Sequence, residues 1–167
     1  MIRVVTDDLA TLAVDAVLRA ANESLDPVTP SAARLDQAAG RRFMEQHRLQ
    51  APLEVGAAVV TGGGDLAAPL VVHVVIQGEG TPAGRDTVRR ALTSAWQRAS
   101  DWKLARVATH LIGIGAGALS VEDATRLMME TFRHHPTTEG CPASLAIVVE
   151  GETDRDIVQA IVGRAGA

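Results

Sequence analysis

The sequence predicts a layered α/β domain. Three observations carry this: short runs rich in Val, Ile, Leu and Ala, amphipathic helical patterns between most of them, and two glycine clusters that directly follow apolar runs. A length of 167 residues fits one domain over 1–167 with a sizeable core. Of those residues 47% are hydrophobic but only 2% aromatic, with no tyrosine, so the core must be aliphatic and alanine-rich.

Strands are expected at residues 2–5, 15–18, 57–60, 70–76, 106–111 and 145–149. Most of these runs are nearly continuous in Val, Ile, Leu and Ala, which suits a sheet covered on both faces. Leu35, Ala39 and Phe43 recur every four residues and predict a first long helix. Val88, Leu92, Ala95, Trp96 and Ala99 predict a second, with Thr81 as its cap and Pro82 in its first turn. Ser120 with Asp123 three residues later has the capping-box pattern and opens a third helix through Val121, Ala124, Leu127 and Met128. Thr153 with Asp156 repeats the pattern ahead of Ile157, Ile161 and Val162.

Composition narrows the function classes. A charged fraction of 22% and a mean hydropathy of +0.12 argue against disorder. No apolar run approaches the roughly 18 residues of a membrane span, and the first eight residues lack a signal-peptide layout. The expectation is a cytoplasmic protein with no membrane partner. A single cysteine, Cys141, excludes an internal disulfide and a multi-cysteine zinc site; no metal and no cofactor is expected. A net charge of −4 argues against broad nucleic-acid binding.

The informative segments are the glycine clusters at 62–64 and 113–117. In the second, Gly113, Ile114, Gly115, Ala116 and Gly117 follow an apolar run and lead to the helix capped by Ser120. Such a loop lets backbone N–H groups approach an anion, with a helix N-terminus behind it. It also fits a tight turn that merely needs positive φ angles. Gly113, Gly115 and Ala118 satisfy a dinucleotide-type spacing, a weak signal so late in the chain, and no P-loop exists because the one lysine is Lys103. No G-x-S-x-G or H-E-x-x-H occurs. His73 lies among valines and reads as a hydrogen-bonded core histidine, and His134 with His135 as a solvated helix end. Arg34, Arg41 and Arg48 are spaced by seven and read as a solvated helix face. His110, three residues before Gly113, sits where the mouth of a site is expected, with no orienting partner identifiable.

Taken in order, these segments resemble a macrodomain, the ADP-ribose-binding fold, over nearly the whole chain. Val4-Val5-Thr6-Asp7-Asp8-Leu9 is similar to the family's opening strand and Gly-Asp-Ile motif. Asp15-Ala16-Val17-Leu18-Arg19-Ala20-Ala21-Asn22 stands where the family has Asp-Ala-Ile-Val-Asn-Ala-Ala-Asn. Val59-Val60-Thr61-Gly62-Gly63 and Val72-His73 match the next two strands and their turn, and Leu111-Ile112-Gly113-Ile114-Gly115-Ala116-Gly117 resembles the second phosphate-embracing loop.

The resemblance implies a three-layer α/β/α macrodomain with a mixed sheet of about six strands. It implies a ligand site in which Asp8 accepts from the adenine amino group beside Leu9, Asn22 reaches the distal ribose with Ala21 as a neighbouring ligand-binding position, and the backbone at Gly113, Ile114, Gly115, Ala116 and Gly117 holds the diphosphate. Asp8 also fits a simpler part, capping a short turn at residues 9–12. The implied partners are ADP-ribose or a related small nucleotide and, further, an ADP-ribosylated protein. Two other readings stay open: an ADP-ribosyl or O-acetyl-ADP-ribose hydrolase using Asn22 and His110, and a pseudo-macrodomain scaffold for protein contacts.

Departures from the family pattern bear on that site. The first loop has Pro27, Val28, Thr29 and Pro30 where the family has glycines, which removes N–H donors and fixes φ. The first motif asparagine is Arg19, and the acid of hydrolytic members falls at about Ala32. Lys103 reads as an interior or terminal helix residue. The second loop lacks its aromatic, and the last strand ends Val148-Val149-Glu150 without one, which removes stacking surfaces worth on the order of 1 kcal/mol each.

Overall fold

The computed structural model describes residues 1–48, 52–115 and 119–166. One six-stranded sheet organises the chain: β1 (Ile2–Val5), β2 (Ala16–Asn22), β3 (Ala58–Gly62), β4 (Leu70–Gln77), β5 (Arg106–Thr109) and β6 (Ser144–Val148), in the order β1-β6-β5-β2-β4-β3. β3 runs antiparallel to β4 and the other neighbours are parallel, so the sheet is mixed.

Among the described residues the helices are α1 (Pro30–Ala39), α2 (Arg41–Arg48), α3 (Arg85–Asp101), α4 (Val121–His134) and α5 (Glu152–Ala165), with a short 3-10 turn at Leu9–Thr11. Successive side chains of a strand point to opposite faces, and here both faces are covered. Leu18 and Ala20 of β2, Val72 and Val74 of β4, and Leu145 and Ile147 of β6 pack against α3, α4 and Val158 of α5. Val17, Val71, Ala108, Ala146 and Val148 pack on the other side against Leu9, Leu35, Ala39 and Phe43. The result is the expected three-layer α/β/α arrangement. Trp96, the largest fully buried side chain, donates its Nε1–H to Thr131 Oγ1 at 3.0 Å and meets Phe132 edge-on.

All six strands overlap the runs the sequence singles out, with β2 continuing to Asn22 and β5 ending at Thr109, and Ser120 caps α4 by accepting from the Asp123 N–H at 3.1 Å. Three helix expectations need correction. The first long helix is two helices, broken at Gly40 (φ 93°), where a Cβ would lie 2.6 Å from an Asp65 carboxylate oxygen. Positive φ with extended ψ departs from helical backbone and is open to glycine, so the helix ends there, and the break also ends the continuous stripe through Arg34 and Arg41. Thr81 does not cap α3; it closes a turn with Gly78, and the helix starts after Gly84, whose N–H donates to Thr87 Oγ1 at 2.9 Å. Thr153 is already inside α5, which begins after Gly151. Lys103 lies just past α3 with φ 55° and pairs with Glu139.

Gly63 and Gly64 are architectural: a Cβ on either would lie within 2.3 Å of a backbone oxygen, that of Ala68 or Ala39. No helix of the described residues is long and apolar enough to cross a membrane.

Candidate functional site

A cleft opens at the carboxyl ends of β1, β6, β5 and β2, the edge of a parallel sheet where ligands are bound in open α/β folds. It has two halves. The first, about 400 Å³, is lined by Thr6, Asp7, Asp8, Leu9 and Ala10 from the β1 end and the 3-10 turn. The second, about 290 Å³, is lined by Leu18, Arg19 and Ala20, by Thr29 and Pro30, and by Ile114 and Gly115. Ser31, Arg34, Leu35, His110, Val149 and Glu150 line both.

The structure brings Asp8, Leu9, Ile114 and Gly115 to this cleft. Asp8 is exposed, and its Oδ1 accepts from the Ala10 N–H at 2.9 Å, so it caps the 3-10 turn. Its other carboxylate oxygen makes no hydrogen bond among the described residues, so the capping and ligand readings are compatible in one side chain. Leu9 is buried beneath it. Gly113 is buried with φ 100°, and its carbonyl accepts from the Leu119 N–H at 3.1 Å, which closes the second loop. Gly115 has φ 76° and is exposed. Ala116 and Gly117 lie outside the described residues.

Ala21 and Asn22 are placed differently. Ala21 is fully buried among Leu25 and Val75. Asn22 Oδ1 accepts from the Ser24 and Asp26 N–H groups, both at 3.0 Å, which folds the 22–26 turn. Neither residue is among the described residues lining the cleft.

The first loop is tied down at both ends. Pro27 pairs with Ala21, Thr29 Oγ1 accepts from the Ala32 N–H at 3.0 Å, and Pro30 opens α1. Thr29 faces Gly115, 3.6 Å from where a Cβ on that glycine would stand. The proline-bearing segment is thus a wall of the second half, and the cleft stays open beside it.

Where the two halves meet, charged groups from three elements converge. Arg34 of α1 donates from Nη2 to both carboxylate oxygens of Glu150, at 2.7 and 2.8 Å. His110, at the end of β5, places its Nε2 3.6 Å from Glu150 Oε1. Burial pushes His110 below the ordinary histidine pKa; Glu150 opposes this, Arg34 adds to it, and Asp8 opposes it. Burial thus favours the neutral imidazole.

Arg34 and Glu150 were not singled out as site residues by sequence reasoning. Arg34 read as part of a solvated stripe and Glu150 only as a missing aromatic. Their partnership spans 116 residues, so no local pattern announces it.

Beneath the second half lies a buried polar cluster. Arg19, which stands in place of the motif asparagine, makes two bonds to Asp36 of α1, at 2.5 and 2.7 Å, and donates to the Leu25 carbonyl at 2.8 Å. Its Nη1 lies 3.2 Å from His73 Nδ1, while His73 Nε2 lies 2.7 Å from Thr61 Oγ1. His73 is the satisfied core histidine the sequence suggests. Among the described residues no group of three or more His, Cys, Asp or Glu is placed to hold a metal ion.

Comparison with known proteins identifies the family and the fold. The Macro domain family model matches residues 18–128. An uncharacterized protein of Mycobacterium tuberculosis is 30% identical over 85% of this chain, and the chain spans 38% of that relative's length. A Cronobacter sakazakii protein named O-acetyl-ADP-ribose deacetylase is 28% identical over 98% of this chain and 94% of its own. Among solved structures, a variant of the Oceanobacillus iheyensis macrodomain with ADP-ribose superimposes with a TM-score of 0.81 at 16% identity, covering 97% of this chain and 91% of that one. The Trypanosoma brucei macrodomain in complex with ADP gives 0.82 at 20% identity, covering 97% and 69%.

Proposed function

Because the chain belongs to the Macro domain family, we propose that it binds ADP-ribose or a related adenine nucleotide in the cleft between Asp8 and Gly115. The observation that carries this reading is the cleft itself, two halves sharing six lining residues at the carboxyl edge of the sheet. Together they fall in the size range of small-molecule sites, roughly 300–1,000 Å³. Asp8 offers a carboxylate oxygen to the adenine amino group, an arrangement that a purine with a carbonyl at the same position cannot satisfy. The second loop, with Gly115 in a positive-φ conformation, faces the phosphate end. The name of the Cronobacter relative and the nucleotides bound by the structural neighbours agree with this ligand class.

Hydrolysis is the weaker reading. The acid that the family resemblance implies for hydrolytic members falls at about Ala32, a buried residue, and the Asn22 carboxamide oxygen is occupied by two backbone N–H groups. A scaffold with a closed pocket is disfavoured by the open cleft beside the proline segment.

Isothermal calorimetry of the folded protein with ADP-ribose tests the proposal. Saturable one-site heat supports it, and no heat at millimolar ligand contradicts it.

A further inference from the structure

The junction of the two cleft halves contains a feature the binding reading leaves unused. A ligand that places its base at Asp8 and its far end at Gly115 crosses the Arg34–Glu150 pair, because both residues line both halves. Resting on that reading, we infer that Arg34 is the phosphate-binding side chain of the cleft and Glu150 its resident competitor, displaced when a nucleoside 5′-phosphate enters.

The pair is built to open. Its side chains are 55% and 57% exposed, and such surface pairs contribute little to stability. Arg34 uses only Nη2 on Glu150, with a longer contact from the same nitrogen to Ser31 Oγ at 3.3 Å. Its Nε and Nη1 make no hydrogen bond among the described residues, so the guanidinium has donors to spare. A planar guanidinium matches phosphate oxygens in a two-point grip, and bonds between charged partners are roughly twice as strong as neutral ones.

The wall of the second half also has room for such a side chain's donors. Pro30 contributes no backbone N–H to the wall of the second half, so a side-chain donor there adds to what the remaining backbone offers. Arg34 is one turn into α1, the helix that Pro30 opens, which brings its side chain to the same wall. Glu150 occupies the place a phosphate would take and repels it, so the cleft selects ligands whose phosphate outcompetes a carboxylate for one arginine.

Calorimetry of the whole protein with adenosine, ADP and ADP-ribose, on wild type, Arg34→Ala and Glu150→Gln, tests this. Arg34→Ala is expected to weaken ADP and ADP-ribose about tenfold while adenosine changes less than about twofold. Glu150→Gln is expected to tighten both phosphates about threefold to tenfold. If the pair is only a structural tie, both variants weaken binding together, and that result overturns the inference. Wild-type binding that Arg34→Ala leaves intact overturns it too, while the nucleotide reading stands. Wild type that binds none of the three removes both. Arg34→Gln, which keeps a long polar side chain, serves if the alanine variant melts early.

Discussion

The guanidinium of Arg19 and the carboxylate of Asp36 form a two-point pair whose side chains are 0% and 7% exposed. It ties β2 to α1, the helix that carries Ser31 and Arg34 to the cleft. Removing one charge strands the other in the interior, which costs about 3–5 kcal/mol, whereas replacing both with apolar groups of similar size is far less damaging. Asp36→Asn should therefore lower the urea midpoint sharply. The double variant Arg19→Met, Asp36→Leu should recover part of that loss, since the Leu25 carbonyl and His73 Nδ1 also lose their Arg19 partner, and a double variant as unstable as the sum of the singles would contradict the pairing.

Acid should destabilise the fold through His47. Burial, then the nearby Arg19 charge, lowers its pKa from 6.5 to about 4, with Asp36 and Asp26 opposing. The unfolded chain binds more protons between those values, so stability present above pH 6.5 is lost as pH falls towards 4. His73 is shifted in the same direction, by burial first. Thermal melts from pH 7 to 5 should show Tm falling, and His47→Phe, which suits the edge-on packing against Phe43 and His73, should flatten the curve. An unchanged slope in that variant would show that His47 titrates normally.

Gly113 and Gly62 should respond differently to alanine. At Gly113, φ is 100° and a Cβ would stand 2.8 Å from Leu119 Cδ1 and 3.2 Å from Val88 Cγ2. At Gly62 nothing lies within 4 Å and φ is not positive. Gly113→Ala should cost about 1–3 kcal/mol and weaken nucleotide binding, while Gly62→Ala should stay within about 0.5 kcal/mol. Chemical denaturation of both variants reads the difference, and equal costs would rule out a special backbone requirement in the second loop.

Asp8→Asn separates the two parts that Asp8 plays. Asparagine is as good a cap as aspartate, so the melting temperature should hardly move. Its amide, however, can turn a donor towards the adenine amino group, and preference for ADP-ribose over its hypoxanthine analogue should fall about tenfold. Competition titration with the two ligands checks this; an unaltered preference would mean that Asp8 only caps the turn.

The sheet was legible because each strand is a dense aliphatic run whose burial on two faces leaves little ambiguity, as in Val71, Val72, Val74 and Val75 of β4. Helix starts were less so: Thr81 and Thr153 have the right chemistry for a cap, but the turn at Gly78 and the short path from β6 to α5 decide where the chain enters each helix. The break at Gly40 depends on the approach of Asp65 from a distant loop. In the site, Asp8 and Gly115 could be read from local motifs. Arg34 and Glu150 could not, because their meaning comes from a meeting of α1 with the end of β6 that only the folded chain creates.

A crystal structure of the protein with ADP-ribose tests the central claim most directly. The predicted result is adenine N6 within hydrogen-bonding distance of the Asp8 carboxylate and the diphosphate over Arg34 and Gly115, with Glu150 turned away. Ligand bound elsewhere, or a base facing away from Asp8 with Arg34 still on Glu150, would contradict the account.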